Sequence, residues 1–200
     1  MSAPTELLQR LDALEARLRV FEDAQAIRDC VLRYMDLCDH LDAITPMDAL
    51  GDCFTEDALW AGKGARYGAS FGRHQGRAAI VAMLGRYRGS LADEQPEQPV
   101  QPPHFRFNAH FLTSEQIRPT GPDSADAGWL MLQTSSFSAG GSHLNAARLR
   151  LQMQRGADGR WRIARFETEN LLSRPVSTWH SDAALPVPAR PNPYQTGTAA

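Results

Sequence analysis

Most of the chemistry this sequence offers lies in one stretch. Over His104–Thr113 polar and apolar side chains alternate. His104, Arg106, Asn108 and His110 fall on one face of an extended strand, and Phe105, Phe107, Ala109 and Phe111 on the other. Imidazole changes charge near neutrality, and a carboxylate bonded to one ring nitrogen fixes its tautomer and raises its basicity. Two carboxylates can serve: Asp39, and Asp57 in FTEDALW, although an aspartate ahead of a strand is commonly a turn residue. The polar face is either the lining of a concave pocket or the wet side of a half-exposed strand, and alternation fits both. Metal chemistry has little to build on. His104 and His110 stand roughly 20 Å apart along an extended strand. No HxH, HExxH or CxxC spacing occurs, nor a P-loop or GxGxxG. No metal and no cofactor is therefore expected. Cys38 reads as a core thiol, since no basic partner is evident beside it.

The elements that must hold these residues change period along the chain. Leu7, Leu11, Leu14, Leu18 and Phe21 recur at steps of four and three, the seam of an N-terminal amphipathic helix over 1–21. That seam can pack on its own domain or on a neighbouring subunit. A second helix is predicted over roughly 22–42, with Ile27, Val31, Tyr34, Met35 and Cys38 on one stripe. Asp36 and His40 lie opposite it, towards water, while Asp39 lies at its margin and can reach inward. A short helix at MDALGDCF leads into a strand in TEDALWAG. The glycine-rich 61–76 reads as a loop that turns several times. Gly76 to about Tyr87 reads as a helix with Ile80, Met83, Leu84 and Tyr87 on one side. Prolines bar regular structure from 90–103. Long strands follow at Gly128–Ser138 and His143–Arg155, and GADGR turns into WRIARFETENLL. The main domain is set at 22–174, and 175–200 is a proline-rich arm with Val176 and Trp179 as docking points. Helices first and an antiparallel meander afterwards argue for α+β, a curved sheet wrapped around helices.

Composition narrows the function classes. The chain has 200 residues, 42% hydrophobic and 22% charged, enough for one packed domain. A net charge of −2 leaves no footprint for nucleic acid or an anionic membrane. No apolar run approaches the roughly 18 residues of a membrane span. The charged N-terminus and three unpaired cysteines predict a cytoplasmic protein with free thiols.

The stretch LEARLRVFEDAQAIRDCVLRYMDLCDHLD, with DALGDCFTEDALW after it, resembles the opening of SnoaL-like proteins in the NTF2-like superfamily. The later "G..AI" helix, PPHFRFNAHFL as an "H…N" strand, and the hairpin QRGADGRWRIAR extend the resemblance over roughly 10–170. It implies a cone-shaped α+β barrel, helices packed into a curved, mostly antiparallel sheet around a deep pocket. Enzymes of this kind, the scytalone-dehydratase-like and bile-acid-dehydratase-like lyases and the hexachlorocyclohexane dehydrochlorinase, use an Asp–His dyad there. Carried over by position, Asp39 matches the dyad Asp, five residues after the matching Tyr34, and His104 matches the dyad His. Arg148 falls near a substrate-binding position and Trp60 at a pocket aromatic. Asn108, His110 and Gln133 complete the implied lining. The second His of some dehydratases is absent, and Gln133 and Thr134 occupy that region.

The resemblance implies a cofactor-free lyase for a small hydrophobic, hydroxylated substrate, aromatic compounds included. His104, oriented by Asp39, would remove a proton while Tyr34 or Arg148 polarises the leaving oxygen. An isomerase or cyclase, or a non-catalytic binding or assembly subunit, fits the same fold. The leucine seam and the phenylalanine face predict a homodimer or homotrimer.

Overall fold

The computed structural model describes residues 3–91, 97, 99–177 and 179. Helix α1 (Ala3–Asp39) runs unbroken for 37 residues. The two helices expected over 1–21 and 22–42 are one, because no glycine or proline interrupts the sequence between them. Only its second half is packed. The expected stripe of Ile27, Val31, Tyr34, Met35 and Cys38 is buried, whereas Leu7, Leu11, Leu14, Leu18 and Phe21 are 47–69% exposed. Asp36 and His40 pair at 3.4 Å on the solvent side, as their wheel positions require.

After α1 come α2 (Met47–Gly51), β1 (Phe54–Lys63), α3 (Gly64–Phe71), β2 (Arg73–Gln75) and α4 (Arg77–Gly85). Four long strands follow: β3 (Phe105–Gly121), β4 (Ser124–Phe137), β5 (Ser142–Arg155) and β6 (Trp161–Val176). The segment 61–76, expected as a loop, therefore forms α3 and β2. A Cβ at Gly62 would stand 2.1 Å from the Tyr67 carbonyl oxygen, so glycine is what lets α3 fold back on β1. That return brings Tyr67 and Phe71 over Trp60.

The sheet order is β2-β1-β6-β5-β4-β3. β1 and β6 run parallel and every other neighbouring pair antiparallel. The curved sheet does not close, since β2 and β3 are its edges. Its inner face, with Leu149, Met153 and Ile163, packs on α1, α2 and α4 through Val31, Leu50 and Ile80. Arg155 clasps the arrangement. Its guanidinium donates to Asp23 of α1 at 2.6 Å and to Asp123 at 2.9 Å, and Trp161 Nε1–H donates to Asp23 at 3.0 Å.

Pro175 and Val176, expected to open the arm, instead extend β6 opposite His143 and Ser142. The Trp179 amide donates to Ser142 Oγ at 3.2 Å. Arm residues 178 and 180–200 lie outside the described residues, as do 92–96 and 98 of the proline-rich segment. Cys30, Cys38 and Cys53 are free. Among the described residues no helix is long and apolar enough to cross a membrane.

Candidate active site

The last turns of α1 deliver Tyr34, Met35, Cys38 and Asp39 to the open end of the sheet. A helix leaves its final carbonyls without partners, and here Asn108 Nδ2 donates to the Cys38 carbonyl at 3.3 Å. The contact ties the helix end to β3. One rung along that strand, His110 meets Asp39 twice. Its backbone N–H donates to Asp39 Oδ2 at 3.0 Å, and its Nδ1 lies 2.5 Å from Oδ1. An ionised carboxylate only accepts, so Nδ1 carries a proton, and in the neutral ring Nε2 is the bare nitrogen.

His104, matched to the dyad position by resemblance, is not the partner. β3 carries a bulge between Phe105 and Phe107, where the register against β4 slips by one residue. A bulge reverses which face each residue takes. Asn108 and His110 share one face, as alternation requires, and that face lines the cavity, but across the bulge Phe105 lines it too, and His104 does not. His104 instead lies among Tyr87, Phe105 and Phe137, with ring centroids at 4.6–5.2 Å. Burial there holds its imidazole below the usual range. Phe107 and Phe111 stay on the outer face, 37% and 55% exposed.

Gln133, opposite His110 on β4, donates from Nε2 to Asn108 Oδ1 at 2.8 Å. Across the cavity, Trp60 Nε1–H donates to the Tyr34 hydroxyl at 3.0 Å. Trp60 faces Phe166 across the parallel β1–β6 pair, and the rings stack at 5.5 Å. Burial, with the Cys38 thiol beside it, holds the Tyr34 hydroxyl well above its usual range, so it stays protonated. Burial likewise pushes the Cys38 thiol up to about 12.

These residues line a cavity of about 120 Å³ that opens to solvent on one side. Tyr34, Trp60, Asn108, His110 and Gln133 line it. Arg148 does not. β5 turns Ala147, Leu149 and Leu151 inward, so Arg148 points outward into a shallow hollow with Arg118, Arg150 and Arg165. Aromatics that sequence reasoning left out complete the wall: Tyr67 and Phe71 from α3, and Phe105 from the bulge. Tyr87 was legible as the inner side of the α4 segment. The spacing Gly68-Ala69-Ser70-Phe71-Gly72 matches a nucleophile elbow, but Ser70 is exposed within α3 and not at a strand-to-helix turn. Among the described residues no group of three His, Cys, Asp or Glu gathers to hold a metal.

The model of the SnoaL-like domain matches residues 19–167. No curated protein matches the chain. Among solved structures, an NTF2-like protein with a cystatin-like fold from Novosphingobium aromaticivorans is 29% identical. The likeness covers 80% of this chain and 90% of that one, at a TM-score of 0.57. The hexachlorocyclohexane dehydrochlorinase LinA-type3 from Novosphingobium barchaimii is 16% identical over 84% of this chain and 99% of its own, at 0.63. A protein provisionally assigned as a scytalone dehydratase, also from N. aromaticivorans, is 16% identical over 86% and 97%, at 0.58. The expected NTF2-like fold is thus the observed one.

Proposed function

The chain belongs to the SnoaL-like domain family, and from that premise we propose that it is a cofactor-free lyase for a small hydrophobic, hydroxylated substrate. The reading is carried by His110 in the wall of an apolar cavity, with Asp39 behind it on the far side of the ring. His110 Nε2 takes a proton from a substrate carbon, and Asp39 stabilises the imidazolium that forms. The electron pair of the broken C–H bond becomes the new double bond as the leaving group departs from the adjacent carbon. Tyr34, protonated throughout the neutral range, turns its O–H to the leaving oxygen. Dehydration and dehydrohalogenation both fit, and the name of the LinA-type3 neighbour, a dehydrochlorinase, supports elimination. Retro-aldol release of formaldehyde fits if the proton taken is a hydroxyl's.

The test is turnover of a panel of hydroxylated aromatic, steroid-like and polyketide-like compounds, followed by mass spectrometry. With a substrate in hand, His110→Ala is expected to lower kcat/KM by about 10²–10⁴. His104→Ala should leave it within a few-fold. The opposite ranking would overturn the assignment. A non-catalytic assembly role is favoured by one observation, the exposed leucine seam of α1. Indifference of every conversion to His110→Ala would select it.

A further inference from the structure

Two polar atoms in the cavity have a hydrogen-bonding sense that cannot be reversed. The Cys38 carbonyl only accepts, so Asn108 must turn its NH₂ to it and its Oδ1 away. That Oδ1 requires the NH₂ of Gln133, which leaves Gln133 Oε1 without a partner among the described residues. By the same logic Asp39 fixes a proton of His110 on Nδ1, so in the neutral ring Nε2 is bare. Both fixed groups are therefore acceptors. The hydroxyls of Tyr34 and Thr168 rotate to donate or accept, so they impose no demand. Among the described residues the lining holds no Lys, Arg, Asp or Glu. A carboxylate placed here would be desolvated and would face Gln133 Oε1, and its nearest cation would be a His110 imidazolium that Asp39 already partners. As for size, an apolar cavity of roughly 150 Å³ holds benzene, and this one is about 120 Å³.

We infer that the site takes an uncharged, single-ring alcohol or phenol whose hydroxyl donates to Gln133 Oε1. A second proton of the ligand meets His110 Nε2. The inference rests on the reading of this cavity as the substrate site. It makes the hydroxyl a handle, separate from the group that leaves. Gln133 is then a specificity-determining residue, and Asn108 the group that orients it.

The experiment measures dissociation constants at neutral pH for phenol, anisole, benzoate and 1-naphthol with the full chain, by NMR titration. Anisole keeps the ring and the oxygen but has no proton to give. Phenol is expected to bind at least about tenfold more tightly than anisole or benzoate, the cost of an acceptor left unpaired or opposed by charge. 1-Naphthol should bind more weakly than phenol despite its larger apolar surface. Gln133→Met should bring phenol and anisole to within about twofold. Anisole, benzoate or 1-naphthol binding as tightly as phenol, or phenol failing to bind, overturns the inference. Turnover is not read, so a failed lyase assignment would leave these affinities as they stand, and the reverse.

Discussion

At the scale of single residues, Asp39 and His110 form a unit in which each fixes the other. The carboxylate holds the ring by Nδ1 and the strand by the His110 amide. Asp39→Asn keeps the volume but removes the charge that selects the tautomer and stabilises the imidazolium. It is expected to lower kcat by about 10²–10⁴ while KM moves little, which steady-state kinetics on an identified substrate would show. His104 has another role. Burial against Tyr87, Phe105 and Phe137 favours its neutral form in the fold. The stability it contributes is complete above the unfolded value of about 6.5 and is lost as pH falls through the lower folded value. His104→Phe keeps an aromatic ring there and cannot titrate. Urea midpoints between about pH 5 and 7.5 should slope less in this variant than in the parent.

Helix α1 is one element with two environments. Its second half is anchored by the buried stripe, by the Asp23–Arg155 contacts and by Arg28, which donates to Glu115 at 2.5 and 2.8 Å. Ile27 is 1% exposed, so Ile27→Ala leaves a cavity and is expected to cost about 2–5 kcal/mol. Leu11 is 47% exposed, and Leu11→Ala should change the protomer's stability by less than about 0.5 kcal/mol. Urea denaturation of both variants checks the pair. Arg155→Met removes the clasp and leaves Asp23 with Trp161 as its remaining partner. A loss of about 1–3 kcal/mol is expected there. The strand elements show the same logic in two dimensions. The β1–β6 register sets Trp60 beside Phe166, and the bulge in β3 chooses which histidine faces inward.

At the scale of the whole molecule, two apolar surfaces remain uncovered by the described residues. One is the seam of Leu7, Leu11, Leu14, Leu18 and Phe21; the other comprises Phe107, Phe111 and Leu132 on the outside of the sheet. Soluble monomers rarely leave contiguous apolar patches larger than a few hundred Å². A homodimer or homotrimer is the expected form, and Leu11→Asp combined with Leu14→Asp should weaken it if the seam is the contact. Light scattering that returns a single 22.1 kDa species at micromolar concentration would contradict the assembly.

The sequence by itself determined what local periodicity can carry. The α+β order, the buried stripe of α1, the outward Asp36 and His40, and the shared face of Asn108 and His110 follow from a 3.6-residue or a two-residue repeat; that this face turns inward does not. Tyr34, Asp39, Trp60 and Gln133 were legible as a set through resemblance. Tertiary structure alone decided which histidine Asp39 meets. A bulge is a one-residue slip against a neighbouring strand, and its consequence, exchanging Phe105 for His104, leaves no trace in the alternation itself. The same holds for α3. Its glycines read as breaks in one dimension, yet Gly62 exists to let a helix pass within van der Waals reach of β1. Arg148 was placed outside by strand phase, which a loose positional match does not specify. Side-chain type and spacing are written along the chain, whereas pairing across strands is a long-range contact that only the folded sheet fixes.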